Sequence, residues 1–293
     1  RVVFGLVGTM LALLLIDNSS NAALQSSLTA IGMLVLVGLA LTVPAAMRWV
    51  PDDSKARPEG NNLRGAWRLL ITPSPFRRLL LAFLLNGIAN AIPATLFLLF
   101  VTHVLQTPEL AGPILFLYFL CSAISVPLWV AVARRLGKHR TWCAAVSMAC
   151  LFFAGAPFLG AGDTAWYVAI VVGTGLMIGA DLALPSAING DLIEWDAHEN
   201  GQQRPGLFFA LWGTASKLAF ALAVGMVFPL LDMIGFDATT SNSAEDIRAL
   251  AILYGGPSIL FKLAAVAMMH NFPIDEAEHG RIRSALAASG QSA

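Results

Sequence analysis

Charge is what this sequence has little of. Only 12% of its 293 residues are Asp, Glu, Lys or Arg, where a soluble domain carries about 25%. With so few charges a water-facing surface cannot be covered, which excludes a soluble cytosolic enzyme, a nucleic-acid binder and a disordered chain. Cysteine is scarce as well. Cys121, Cys143 and Cys150 all lie inside apolar runs, and an odd set at no metal-ligand spacing excludes a disulfide framework and a metal centre. His103, His139, His198, His270 and His279 fall in loops or at the ends of apolar runs. No H-E-x-x-H, G-x-S-x-G or Cys/His pair accompanies them, so an enzyme would lack a convergent catalytic set. The 18 basic and 18 acidic residues cancel, and bulk charge names no partner.

Apolar runs are what the chain has instead: 57% of it is hydrophobic and its mean hydropathy is +0.71. A bilayer core needs about 20 apolar residues per helix. Such runs lie near 2–16, 27–47, 79–102, 112–133, 141–160, 165–190, 207–231 and 249–269, which predicts an all-α, polytopic membrane protein with eight spans. The first run is short. It reads either as a signal peptide with a cleavage zone near Ser20–Ala23 or as a helix clipped at its start. The absence of an initial Met favours the clipped helix.

The basic residues set the expected orientation. All except Arg248, Lys217 and Lys262 fall before span one, in 48–78, in the turn after span four, after span six or in the tail. In an alternating topology these segments share one side, which the positive-inside rule makes the cytoplasm. Trp49, Trp142, Trp166 and Trp195 at span ends fit an aromatic belt. Leu63–Ile71 has helical spacing and reads as an interfacial amphipathic piece. Two spans precede the 48–78 loop and six follow it. Many transporters join two six-helix halves by such a loop, so four earlier helices would complete the plan. The expected organisation is therefore two last helices of an N-terminal half (1–47), a central cytoplasmic loop (48–78), a six-helix C-terminal half (79–269) and a cytoplasmic tail (270–293).

Ionisable residues inside spans are costly and mark functional candidates. Asp181 and Lys217 lie at matched depth, each about 15 Å from the inner surface at 1.5 Å per residue, on consecutive spans. The pair reads either as a switch in a transport path or as a static ion pair between helices. Lys262 lies within snorkelling reach of the inner end of the last span and is expected to lift its ammonium to the interface. Gly175 and Gly179 precede Asp181 at close-contact spacing, and Pro185 follows it. Asn86 and Asn90 share a helix face, where they act as interhelical links or as a hydroxyl-binding patch. Tyr118, Ser122 and Ser125 form a weaker polar stripe, read as packing. Asp191 and Glu194 share a face and are expected to meet Arg204, or Arg134 and Arg135 of the neighbouring turn, as a latch on the inner gate.

The segment Asp191-Leu-Ile-Glu194-Trp195-Asp196, Asn200-Gly201 and Arg204-Pro-Gly206, followed by a helix with Trp212 and Lys217, resembles the glycoside–pentoside–hexuronide:cation symporters. These form the melibiose-permease-like branch of the major facilitator superfamily. Asn86 through Thr95, the Arg134–Lys138 turn and the tail from Ile274 to Leu286 resemble the same family. Two positions depart from its loop pattern: Ala197 stands where the family has Glu, and Gln203 where it has Arg, with Arg204 one place later. The resemblance spans essentially the whole chain and implies the last eight of twelve helices of a major facilitator bundle. It implies that Lys217 lies at the sugar and cation site, with Trp212 and Ser216 on the same helix face. The family's acidic cation-site residues belong to early helices outside this chain.

The expected function is alternating-access symport of a sugar or glycoside with Na⁺ or H⁺. The substrate site comprises Lys217, Asp181, Trp212, Ser216, Asn86 and Asn90; the gate comprises Asp191, Glu194, Arg204, Arg134 and Arg135. A carrier of a lysophospholipid-like amphiphile is the alternative, and a membrane scaffold without transport is an alternative of another class. No cofactor, resident metal or nucleic acid is expected. The partners are a small solute and the bilayer, for a monomer in a plasma membrane of bacterial inner-membrane type with both termini cytoplasmic.

Overall fold

A computed structural model describes residues 21–49, 63–72, 74–200, 204–238 and 242–273. The chain divides into two compact units, Arg1–Asn61 and Asn62–Ala293. The predicted span 2–16, the loop 50–62 and the tail from 274 lie outside the described residues. In the first unit, helix α1 (Asn21–Trp49) carries the second predicted span and contains Pro44.

The second unit opens with a short helix, α2 (Leu63–Ile71), at the predicted amphipathic piece. Trp67 and Ile71 on it are exposed, while Leu69 and Leu70 pack against the core. Among the described residues, six segments are then long and apolar enough to cross a membrane. They begin with α3 (Pro75–Leu99), which continues through a π-helical turn, Phe100–Val104. Next come α4 (Ala111–Leu136), α5 (Lys138–Phe153) and α6 (Thr164–Asn200), followed by α7 (Pro205–Met233) and α8 (Ala244–Met269). No strand occurs among the described residues.

Local signals begin and end these helices. The Ser74 hydroxyl accepts from the Arg77 amide at 3.2 Å and caps α3. Ser243 and Asp246 form a reciprocal capping box that starts α8. Between α4 and α5 the chain turns on Gly137 alone. Its φ of +84° is open to glycine without a Cβ penalty, and its N–H bonds the Ala133 carbonyl at 2.9 Å.

Small residues bring the helices close. A Cβ on Gly179 would run into Ser125 Oγ and lie 2.9 Å from the Ser122 carbonyl, and one on Gly175 would lie 2.8 Å from the Tyr118 carbonyl. The two glycines therefore seat α6 on α4, as their spacing predicts. Ser122 and Ser125 are buried at this seam, in keeping with the packing role expected of that stripe. Gly87 does the same for α3 against Ala219 of α7, at 2.8 Å.

Helix α6 departs from expectation. Its 37 residues extend about 55 Å, well beyond a hydrocarbon core of about 30 Å. The acidic segment Asp191–Asn200, expected as loop, is the last part of this helix. No glycine or proline interrupts the chain between Gly190 and Gly201. The buried positions Ile188, Leu192 and Asp196 continue one face at four-residue intervals, so packing carries the helix on.

Candidate functional site: a buried polar layer

The apolar core of the second unit falls into two clusters. A polar layer crosses α3 and α8 where one cluster gives way to the other, and Asp181 of α6 is its centre. Asn86 and Asn90, one helical turn apart on α3, both donate their amide N–H groups to Asp181 Oδ2, at 2.8 and 2.9 Å. Trp142 Nε1 of α5 donates to Asp181 Oδ1. Lys262 of α8 completes the layer. Its ammonium donates to Asn86 Oδ1 at 3.2 Å and Asn90 Oδ1 at 2.6 Å, and stands 3.7 Å from Asp181 Oδ2. One carboxylate thus joins four helices. The two side chains of the ion pair are only 8% and 3% exposed, Asp181 and Lys262 respectively, so each charge depends on the other and on the two amides.

This arrangement corrects the expected pairing of Asp181 with Lys217. Matched depth says nothing about which side of a helix a residue occupies. On α7 the buried positions Ala215, Ala219 and Ala223 form one stripe; Lys217 is two residues from the first two, about 200° around the helix. It is exposed, with no hydrogen bond or ion pair among the described residues. Lys262 was expected to snorkel. Instead it continues the buried line of Tyr254 and Ser258 on α8, and is 2% exposed.

Trp142, assigned above to the aromatic belt, is 1% exposed and holds the second carboxylate oxygen. Trp142 is the second residue of the predicted span 141–160, a belt position, but the helix begins at Lys138 and sets it a turn inside. Trp166 is exposed, as a belt residue should be. Trp212 stacks on Phe83 with ring centroids 3.8 Å apart, and the Ser216 hydroxyl donates to the Trp212 carbonyl of its own helix at 3.1 Å. Neither of these interactions involves a residue of the polar layer.

The predicted gate residues also sort differently. At the basic end of the bundle, Asp191 accepts from Lys138 Nζ at 2.7 Å. Arg204 forks onto Asp196, at 2.8–3.1 Å, a carboxylate not among the partners expected for it. Asp196 lies nearer because the helical extension of α6 turns it inward, where it is 2% exposed. Arg134 and Arg135 are exposed at the end of α4. At the same end, the Arg78 guanidinium donates to the carbonyls of Met268, His270 and Asn271, satisfying acceptors that the end of α8 leaves open.

Beside the polar layer is a cavity of about 300 Å³ that shares Asn90 with it and is lined by Phe97, Tyr118, Phe153, Tyr167 and Tyr254 among others. The hydroxyls of Tyr167 and Tyr254 bond one another at 2.7 Å. The remaining lining is almost wholly apolar.

The pattern that defines the family MFS/sugar transport protein matches residues 1–276. The chain belongs to this family. With its six membrane-long helices, it is a multi-pass membrane protein with the all-α bundle of the major facilitator superfamily. Individual members that it resembles are named for lipids. It is 24% identical over 230 residues to the sodium-dependent lysophosphatidylcholine symporter 1 of Mus musculus, covering 77% of this chain and 43% of that protein. The Homo sapiens symporter of the same name is also 24% identical, over 75% of this chain and 41% of that protein. A sphingosine-1-phosphate transporter of Xenopus tropicalis is 23% identical over 69% of this chain and 40% of its own length. The chain thus spans about two fifths of the curated relatives it matches.

Proposed function

We propose that the protein of this chain is a cation-coupled secondary transporter and no enzyme, and that it moves a single-chain, lysophospholipid-like amphiphile. The observation that carries this reading is the cavity beside Asn90. A sugar offers hydroxyls on every side and needs a matching set of donors and acceptors, because each buried group left unpaired costs about 1–3 kcal/mol. The cavity offers a largely apolar wall with a few polar groups at Asn90, Tyr118 and the Tyr167–Tyr254 pair, which suits an alkyl chain. Its volume falls at the lower end of the range of about 300–1,000 Å³ usual for small-molecule sites. The names of the similar proteins agree with this class, against the sugar expected first.

Lys217 lies apart from the cavity, which no residue of α7 lines. In this reading it meets the headgroup on the transport path rather than while the alkyl chain sits in the cavity. It stands about 18 Å along α7 from Pro205, and an exposed ammonium at that depth is unfavourable against hydrocarbon. The face of α7 that carries it therefore borders a polar path, where it meets a phosphate. The basic end of the bundle is cytoplasmic, with Lys138–Asp191 and Arg204–Asp196 holding the inner side closed. The six-helix segment 79–269 is one half of the transporter, and residues 1–47 belong to the other. Uptake by the full-length protein in vesicles, with imposed Na⁺ or H⁺ gradients and labelled lysophosphatidylcholine beside a labelled glycoside, tests the reading. Lysolipid uptake supports it; glycoside uptake alone restores the sugar reading.

A further inference from the structure

We propose that Asn86 Oδ1, Asn90 Oδ1 and Asp181 Oδ2 form a monovalent-cation site whose resident cation is the Lys262 ammonium, so that the protein carries this cation on its own chain. Three oxygens from α3 and α6 converge on one nitrogen, at 3.2, 2.6 and 3.7 Å. Two are neutral amide carbonyls and one belongs to a carboxylate, for a net charge of −1 on the cage. Carbonyl and carboxylate oxygens replace the hydration shell of a bare alkali cation in the same manner, and a single negative charge matches a single positive one.

The orientation of the amides supports a cation cage rather than a chance polar cluster. Both asparagines present their oxygens to Lys262 and their N–H groups to Asp181, which aligns the two amide dipoles with the two charges. Trp142 occupies the far oxygen of the carboxylate, leaving Oδ2 to face the ammonium. Asn86 and Lys262 are only 3% and 2% exposed, and Asn90, which also lines the cavity, is partly buried. Removing the lysine side chain would leave the three oxygens around an uncompensated buried carboxylate, a charge that a replacement cation would balance. In the native chain the tethered ammonium shuts alkali cations out, so a coupling ion binds elsewhere.

The test uses the full-length protein in detergent and reads thermal unfolding, independently of any transport. The wild type, Lys262→Ala and Lys262→Ser are compared in chlorides of potassium, sodium, ammonium and choline at equal ionic strength. Both variants should melt at higher temperature in potassium, sodium or ammonium than in choline. The effect should keep rising with the logarithm of cation concentration, since a cation at about 100 times its Kd multiplies the folding equilibrium about 100-fold. The wild type should show no potassium or ammonium response, and adding Asn90→Ala to either variant should abolish it. Equal melting in all four salts overturns the proposal, as does a cation response that survives Asn90→Ala. Aggregation of both variants in every salt also overturns it, because a replacement cation should then have rescued them.

Discussion

Lys262 and Asp181 stand 3.7 Å apart in the interior of the six-helix unit, on α8 and α6, with Asn86 and Asn90 bonded to both. The two residues lie 81 positions apart in the chain, and each occupies a buried seam of its helix. Their proximity makes Asp181 a neutralised group within one bundle and leaves Lys217 as the span charge that faces outward from it.

The pair should behave as a unit in stability measurements. Lys262→Met and Asp181→Asn each leave a buried charge without its partner, and each should destabilise the protein by about 3–5 kcal/mol. The double variant removes both charges and should recover most of that loss. Thermal unfolding of the full-length protein checks the cycle; losses that simply add would show that the two side chains do not interact.

The two-glycine seam gives a second prediction. Gly179→Val must displace Ser125 Oγ and backbone of α4, since even a Cβ comes within 2.9 Å of the Ser122 carbonyl. Overpacking of this kind costs about 1–3 kcal/mol. Gly213→Ala on α7 meets nothing within 4 Å and should leave the melting temperature close to that of the wild type. Similar losses from both would contradict the packing described for α4 and α6.

How much of this could be read from the sequence depended on what each signal measures. Apolar run length found the six spans of the second unit because burial in lipid needs a set number of residues. The i, i+4 spacing of Asn86 and Asn90 placed both on one face, and both do meet the same carboxylate. The partner of Asp181 was misread because depth was compared without direction. Small residues at 215, 219 and 223 would have turned Lys217 away, and the line through Tyr254 and Ser258 would have turned Lys262 inward. The helical run from Asp191 to Asn200 looked like loop because charge was weighed above the absence of a breaker. Trp142 was missed because an aromatic near a span end has two readings, and only its packing separates them.

Arg78 should hold the end of α8. It supplies donors to three carbonyls there, and hydrogen bonds to a charged group are worth about 1.5–3 kcal/mol. Arg78→Ala should speed amide hydrogen exchange in the last turn of α8 while leaving the middle of that helix protected. Arg78→Lys, with a point charge in place of a fork, should recover only part of the protection. Unchanged exchange in Arg78→Ala would show that solvent satisfies these carbonyls equally well.

At the basic end, the gate role proposed for Lys138 and Asp191 predicts a charge-order effect. Asp191→Lys should trap the transporter and abolish uptake, and the exchange Lys138→Asp with Asp191→Lys should restore part of it. Full uptake by Asp191→Asn alone would reduce the contact to an ordinary partly exposed ion pair, worth little by itself.

The most direct test of the account is gradient-driven uptake of labelled lysophosphatidylcholine by full-length protein carrying Lys217→Ala, normalised to the amount of folded protein in the vesicles. The assignment of Lys217 to the headgroup path and of Lys262 to the buried ion pair predicts uptake lost without any fall in melting temperature. Uptake equal to that of the wild type would contradict it.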